Sequence, residues 1–341
     1  MKFIFLLLVF IFPVNIAAEC TCQQSTNTNH YNKNQALRFK LIAIASILIA
    51  GATGVCIPQF GKIFESLRPE STVFLAVKFF AAGVILATGF VHVFPDANES
   101  LENPCLGDTA WGDFPMGYFV AMVAAVAVMM VETVVASVFN RSHCNNKAAE
   151  HVAGDEEKQE TGHMHVHALS SHGHAAGSPE LLLRHRIISQ VLEIGIIIHS
   201  VIIGISLGVS IHPKTIKPLI VALSFHQMFE GMGLGSCITE AEFNIGTVAT
   251  MLLFYSFTTP LGIVIGIAIS NTYEEKSRIA LIIQGILNAA SAGILVYMAL
   301  VDLLAMGFMK SKVQTSSRLQ ILAFISILLG LGCMSLLAKW A

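Results

Sequence analysis

The chain has 341 residues, of which 54% are hydrophobic and 12% charged, with a formal net charge of −2. A soluble domain carries roughly 25% charged residues, so a soluble fold of this length would lack polar surface, and the near-neutral balance offers no basic patch to a nucleic acid. The apolar residues come in blocks of about twenty, enough for a helix to cross roughly 30 Å of hydrocarbon, and lone strands would leave backbone groups unpaired in lipid.

The reading is therefore an all-α, multi-pass protein whose first partner is the bilayer. The opening MKFIFLLLVFIFPVNIAAEC carries Lys2, a short apolar stretch interrupted by Pro13, and Ala17-Ala18 before Glu19. Residues 1–18 are expected to be a cleavable signal peptide rather than an uncleaved first helix, and its removal leaves the mature amino terminus facing the exterior or a lumen. Cys20, Cys22 and Cys105 would then face the exterior, whereas Cys56, Cys237 and Cys333 fall in apolar runs as packing residues.

Eight spans follow: Leu37–Phe60, Thr72–Val93, Pro115–Phe139, Ile187–Ile211, Ile216–Ile238, Ile245–Ser270, Ile279–Leu303 and Leu319–Trp340. They divide the chain into spans one to three (19–139), a polar loop (140–186), spans four and five (187–238) and spans six to eight (239–341). Eight crossings return the carboxyl end to the outside. Lysines and arginines favour the loops this orientation puts in the cytosol. The long polar loop, rich in Gly, Ser and Ala, has nothing to build a core from and is expected to be disordered. Its HMHVHALSSHGH carries His163, His165, His167, His172 and His174, a composition that binds metal.

An ionisable side chain near the middle of a span is costly, about 2.5 to 3.5 kcal/mol for a charged one on insertion scales. His199 sits in such a place, in IIIHSVIIGISLG. His226 and Glu230 in SFHQMFEGMGLGS are four apart and project from one helix face. A short turn joins these two spans, so they run antiparallel as neighbours. His199 lies about 18 Å from the inner end of its span, and His226 about 15 Å from the outer end of its own. Both reach the midplane of a roughly 30 Å core. Two imidazoles and a carboxylate in low dielectric suit zinc, and equally iron or manganese. A bound cation would offset the burial, and Ser200 can add an oxygen.

A second group lies in VHVFPDANES, where span two meets the exterior. His92, Asp96 and Glu99 share a face if the helix continues past Pro95, making an acidic mouth that gathers cations. Glu132, deep in span three, should face a water-filled path or a basic partner. Glu193 reads as an inner relay or an interfacial group, and Lys78 as snorkelling or paired with a carboxylate. Asp302, Asn288 and Gln284 give span seven a polar face suited to interhelical bonds.

These motifs make the chain similar to the ZIP (Zrt/Irt-like) family, and to its plant zinc and iron transporters in particular, over nearly the whole mature chain. The fourth-span His-Ser followed by Gly-x-Ser-x-Gly is here His199, Ser200, Gly204, Ser206 and Gly208, and the fifth-span His-x-x-x-Glu is His226 and Glu230. The resemblance implies uptake of divalent metal toward the cytosol through a central site in spans four and five. It implies that spans one to three and six to eight are related by inverted symmetry. It also points to His92, Asp96 and Glu132 along the transport path. The chain departs from relatives that hold two metals: Ile203 replaces a carboxylate, and Gln227 follows His226. One central metal is expected.

The leading function is thus an alternating-access carrier of zinc, or of iron or manganese, in the plasma membrane, with both termini outside. Metal is its cargo, no resident cofactor is implied, and a homodimer is compatible with the sequence. Two other classes compete. A metal sensor would bind through the loop and relay through the helices. An intramembrane metalloenzyme would need an open zinc site with a general base, and the chain has no His-Glu-x-x-His.

Overall fold

The computed structural model describes residues 33–60, 64, 68, 71–106, 114–151, 179–210, 213–270 and 278–339. The signal peptide, Cys20, Cys22 and the five histidines of the polar loop lie outside the described residues. Among those described, every regular element is a helix. The long ones are α1 (Lys33–Gln59), α2 (Thr72–Leu101), α3 (Met116–His151), α4 (Pro179–Val209), α5 (Pro213–Glu240), α6 (Ile245–Ile269), α7 (Arg278–Met309) and α8 (Ser317–Ala338).

Seven of these are long and apolar enough to cross a membrane, and α5 is the exception. At 28 residues it has the length. What it lacks is apolar character, because it carries the polar residues of span five. It does not need more, since α1, α2, α4 and α8 all pack against it. A helix sheltered by protein on several sides can hold polar groups that a lipid-facing one cannot.

Local signals set several helix ends. Ser71 caps α2 by accepting from the Phe74 N–H at 3.0 Å, and Asn244 caps α6 by accepting from Thr247 N–H at 2.9 Å. α4 begins at Pro179, a residue preset for a first helical turn. The polar loop is shorter than its composition suggests: α3 runs on to His151 and α4 starts at Pro179, so both described ends of the expected 140–186 loop are helical.

Two helices contain a wide, π-type turn: Thr88–Val93 in α2 and Met298–Ala305 in α7. In α2 it precedes Pro95, and the helix continues through the proline to Leu101. The proline ring would clash with the carbonyl one turn back in a regular helix. A π-bulge shifts that carbonyl out of the way.

The packing repeats itself under one exchange. α1 lies on α5 as α6 lies on α4, α2 on α8 as α7 on α3, and α2 on α5 as α7 on α4. Swapping α1–α3 with α6–α8 and α4 with α5 maps each contact onto its counterpart. Odd and even crossings run in opposite directions, so this is an inverted repeat.

Glycine permits the tightest of these contacts. A methyl at Gly330 on α8 would fall on the Phe80 carbonyl of α2, whereas one at Gly332 would meet nothing within 4 Å. Gly330→Ala is expected to cost about 1–3 kcal/mol through overpacking. Gly332→Ala should be silent. Thermal melting of the detergent-purified variants checks the pair, and equal melting temperatures would contradict the seam.

Candidate metal centre

Three helices each bring an imidazole to one buried spot. His199 comes from α4, His226 from α5 and His92 from the π-turn of α2, with Glu230 one turn beyond His226; none of the four is more than 3% exposed. The ring centroids form a near-equilateral triangle, 5.2 Å from His92 to His199, 5.7 Å from His92 to His226 and 5.5 Å from His199 to His226. The rings stand edge to face, at 85°, 77° and 67°. Among the described residues, no three His, Cys, Asp or Glu side chains already close on a single point.

Buried polar atoms normally find hydrogen-bond partners. Here Nε2 of His92, both ring nitrogens of His199, Oγ of Ser200 and both carboxylate oxygens of Glu230 have none. Nε2 of His226 lies 3.2 Å from Oε2 of Glu230, off hydrogen-bond alignment. That separation has a chemical meaning. Two donors held about 2.0–2.1 Å from one zinc ion, at a roughly tetrahedral angle, sit about 3.3–3.4 Å apart, close to this separation. Nitrogen and carboxylate oxygen are also the donor types that zinc and its neighbours in the transition series accept.

Of the predicted central set, His199, His226 and Glu230 are thus brought together, and Ser200, next to His199 in the chain, is buried. The mouth group divides. His92 was expected at the exterior with Asp96 and Glu99, and the structure instead places it in the histidine triangle. The π-turn that carries it packs against α7 and α8. Asp96 remains linked to it at 3.8 Å and is 43% exposed, while Glu99 is exposed.

Glu132 stands apart from the triangle. It accepts a hydrogen bond from Tyr297 at 3.0 Å across the α3–α7 contact. Asp302, in the π-turn of α7, faces Arg184 at 3.7 Å. Glu193 is buried, with Oε1 unpartnered. Ile203 packs in an apolar cluster with Leu207 and Ile263. The Gln227 amide is tied to α6, donating to the Tyr255 carbonyl at 3.3 Å and accepting from Thr259 at 3.2 Å. Neither adds a donor beside the triangle.

Lys78 does pair with a carboxylate, as expected. Its partner is Glu240, which also accepts from Lys310 at 2.7 Å. The sequence carries no sign of that partner, 162 residues away. It also hid Met334 of α8, whose sulfur lies 3.3 Å from Nδ1 of His226. A methionine in an apolar run carries no signal.

A family model described as ZIP Zinc transporter matches residues 37–338. The chain is 51% identical over 329 residues to a rice (Oryza sativa subsp. japonica) protein named Zinc transporter 5, covering 95% of this chain and 93% of that one. It is 51% identical over 320 residues to Zinc transporter 3 of Arabidopsis thaliana, covering 94% and 90%. A rice protein named Fe(2+) transport protein 2 is 47% identical over 327 residues, covering 90% and 87%.

Proposed function

Since the chain belongs to the ZIP zinc transporter family, we propose that this multi-pass membrane protein carries zinc, and iron(II) as a second cargo, through the histidine triangle. His199, His226 and Glu230 hold the ion, His92 hands it in or completes its shell, and Ser200 lends an oxygen or orients a ring. One observation carries the assignment: the cluster of buried, unpartnered nitrogen and oxygen atoms around the 3.2 Å His226–Glu230 pair. A dication gives each of them a partner and neutralises the carboxylate.

The remaining steps follow the same chemistry. Asp96 and Glu99 gather cations at the outer end of α2, the centre binds one metal, and the site opens by alternating access toward the cytosol of a cell whose plasma membrane it occupies. The loop histidines His163, His165, His167, His172 and His174 take up released metal and tune activity. Metal is substrate here. A membrane enzyme would need a general base beside the ion, and the buried carboxylate of the triangle, Glu230, is spent as a ligand.

Zinc uptake into proteoliposomes tests this reading against a sensor and against an enzyme. Vesicles holding the purified chain should accumulate zinc with no other protein present, and so should vesicles holding a chain that lacks 162–174. A protein that binds zinc but accumulates none is a sensor. Loss of uptake in the deletion alone would place the loop on the path itself.

A further inference from the structure

α8 supplies no titratable ligand to the centre, yet it reaches it. The Gly330 seam brings its backbone against α2, and one turn on Met334 is fully buried beside Val84 and Ala87. Its sulfur lies 3.3 Å from Nδ1 of His226. A thioether has lone pairs and no proton to give. The contact is therefore a hydrogen bond only when Nδ1 carries the proton, which leaves Nε2 with its lone pair free. Nε2 is the nitrogen that faces Glu230 at 3.2 Å.

We propose that Met334 is a positioning residue for metal carriage: its sulfur accepts from Nδ1–H of His226, fixes the tautomer that presents Nε2 to the ion, and keeps the ring turned toward Glu230. This rests on His226 being a ligand. Ligating histidines usually give their second N–H to a carboxylate, a carbonyl or water, which raises their basicity. A thioether is a weaker acceptor. It orients the imidazole without making it cling to the ion, which suits a site that must release its cargo.

Zinc uptake by proteoliposomes containing the full chain reads this out through KM. Loss of such a supporting partner typically costs 10- to 100-fold in metal affinity, so Met334→Leu, which keeps the bulk and removes the acceptor, should raise KM about tenfold. Met334→Gln puts a stronger acceptor at a similar reach. It should return KM to the native value or below while lowering the maximal rate, a split that mere packing does not produce. Native KM in Met334→Leu, or equal loss in both variants, overturns the proposal. Should either variant fail to reconstitute, Met334→Ala replaces it, with a tenfold rise in KM sustaining the proposal and a native KM sinking it. His226→Ala is run beside them. If it is inactive while Met334→Leu is native, only the role of Met334 fails; if it transports normally, the ligand assignment fails as well.

Discussion

Replacing Glu230 with Gln is expected to take zinc uptake to background, a loss of at least ~100-fold, in cells that display the variant at native levels. The side chain keeps its shape, so the loss is one of charge. Among the described residues, Glu230 is the fully buried carboxylate at the histidine triangle, whereas Asp96, 3.8 Å from His92, is 43% exposed. A dication left among neutral imidazoles in low dielectric has no counter-charge, and an uncompensated buried charge is strongly disfavoured. His199→Ala should be equally inactive, since it removes one of the nitrogen donors and opens space beside the others. Stability should move differently. The His226 contact at 3.2 Å is the one close polar neighbour that the change weakens, so Glu230→Gln should melt close to the native chain. Undiminished radiolabelled zinc uptake in both variants, at matched surface level, would remove the centre from the mechanism.

Glu240→Ala should instead damage the fold. Glu240 receives both Lys78 and Lys310, and the two cations differ in what happens when it goes. Lys310 is 39% exposed and can swing into water, whereas Lys78 is 3% exposed and cannot. Stranding a buried charge by deleting its partner costs about 3–5 kcal/mol. The same corner joins more of the chain. His185 meets the Glu240 carbonyl at 3.2 Å, and Arg186 donates to that of Ala241 at 3.2 Å, so the ends of α2, α4, α5 and α7 meet there. The double change Lys78→Met with Glu240→Leu replaces a buried pair by apolar groups, and such swaps are often neutral. It should recover most of the lost melting temperature of the detergent-purified protein. A single Glu240→Ala variant as stable as the native chain would show that the pair contributes nothing.

Much of this was legible in the chain because lipid imposes a simple code. Blocks of apolar residues near twenty long mark crossings, and the anomalies within them mark function. His199, His226 and Glu230 were found that way, through their depth and the four-residue spacing on α5. Depth and spacing fail where the helix departs from its period. His92 sits in the π-turn of α2 and meets His199 and His226 as well as Asp96, a second set of neighbours that spacing along one helix does not announce. They fail again where the partner is apolar, as with Met334, or distant, as with Glu240 and Lys78. Polarity misled at the loop as well. Residues 140–151 and 179–186 look like linker by composition, yet they extend α3 and α4.

The glycine seams have a mechanical consequence. Where Gly204 and Gly208 face α6, and Gly235 faces α1, an added methyl would strike backbone, and the same holds for Gly330 against α2 and Gly293 against α3. Between α4 and α7, and between α5 and α2, a methyl at Gly195 or Gly233 would meet side chains first, those of Ile294 and Leu295 and of Ile85 and Ala81. Methyl tips rotate aside; carbonyls do not. The softer glycine contacts thus lie between two slabs, α1 with α4–α6 and α2 with α3, α7 and α8, which the Ser291–Gly195 hydrogen bond at 2.8 Å and the Lys78–Glu240 pair hold together. His199, His226 and Glu230 ride on one slab, His92 and Met334 on the other, so a slide of a few ångströms would strip both outside contacts from the ion's cradle in one movement.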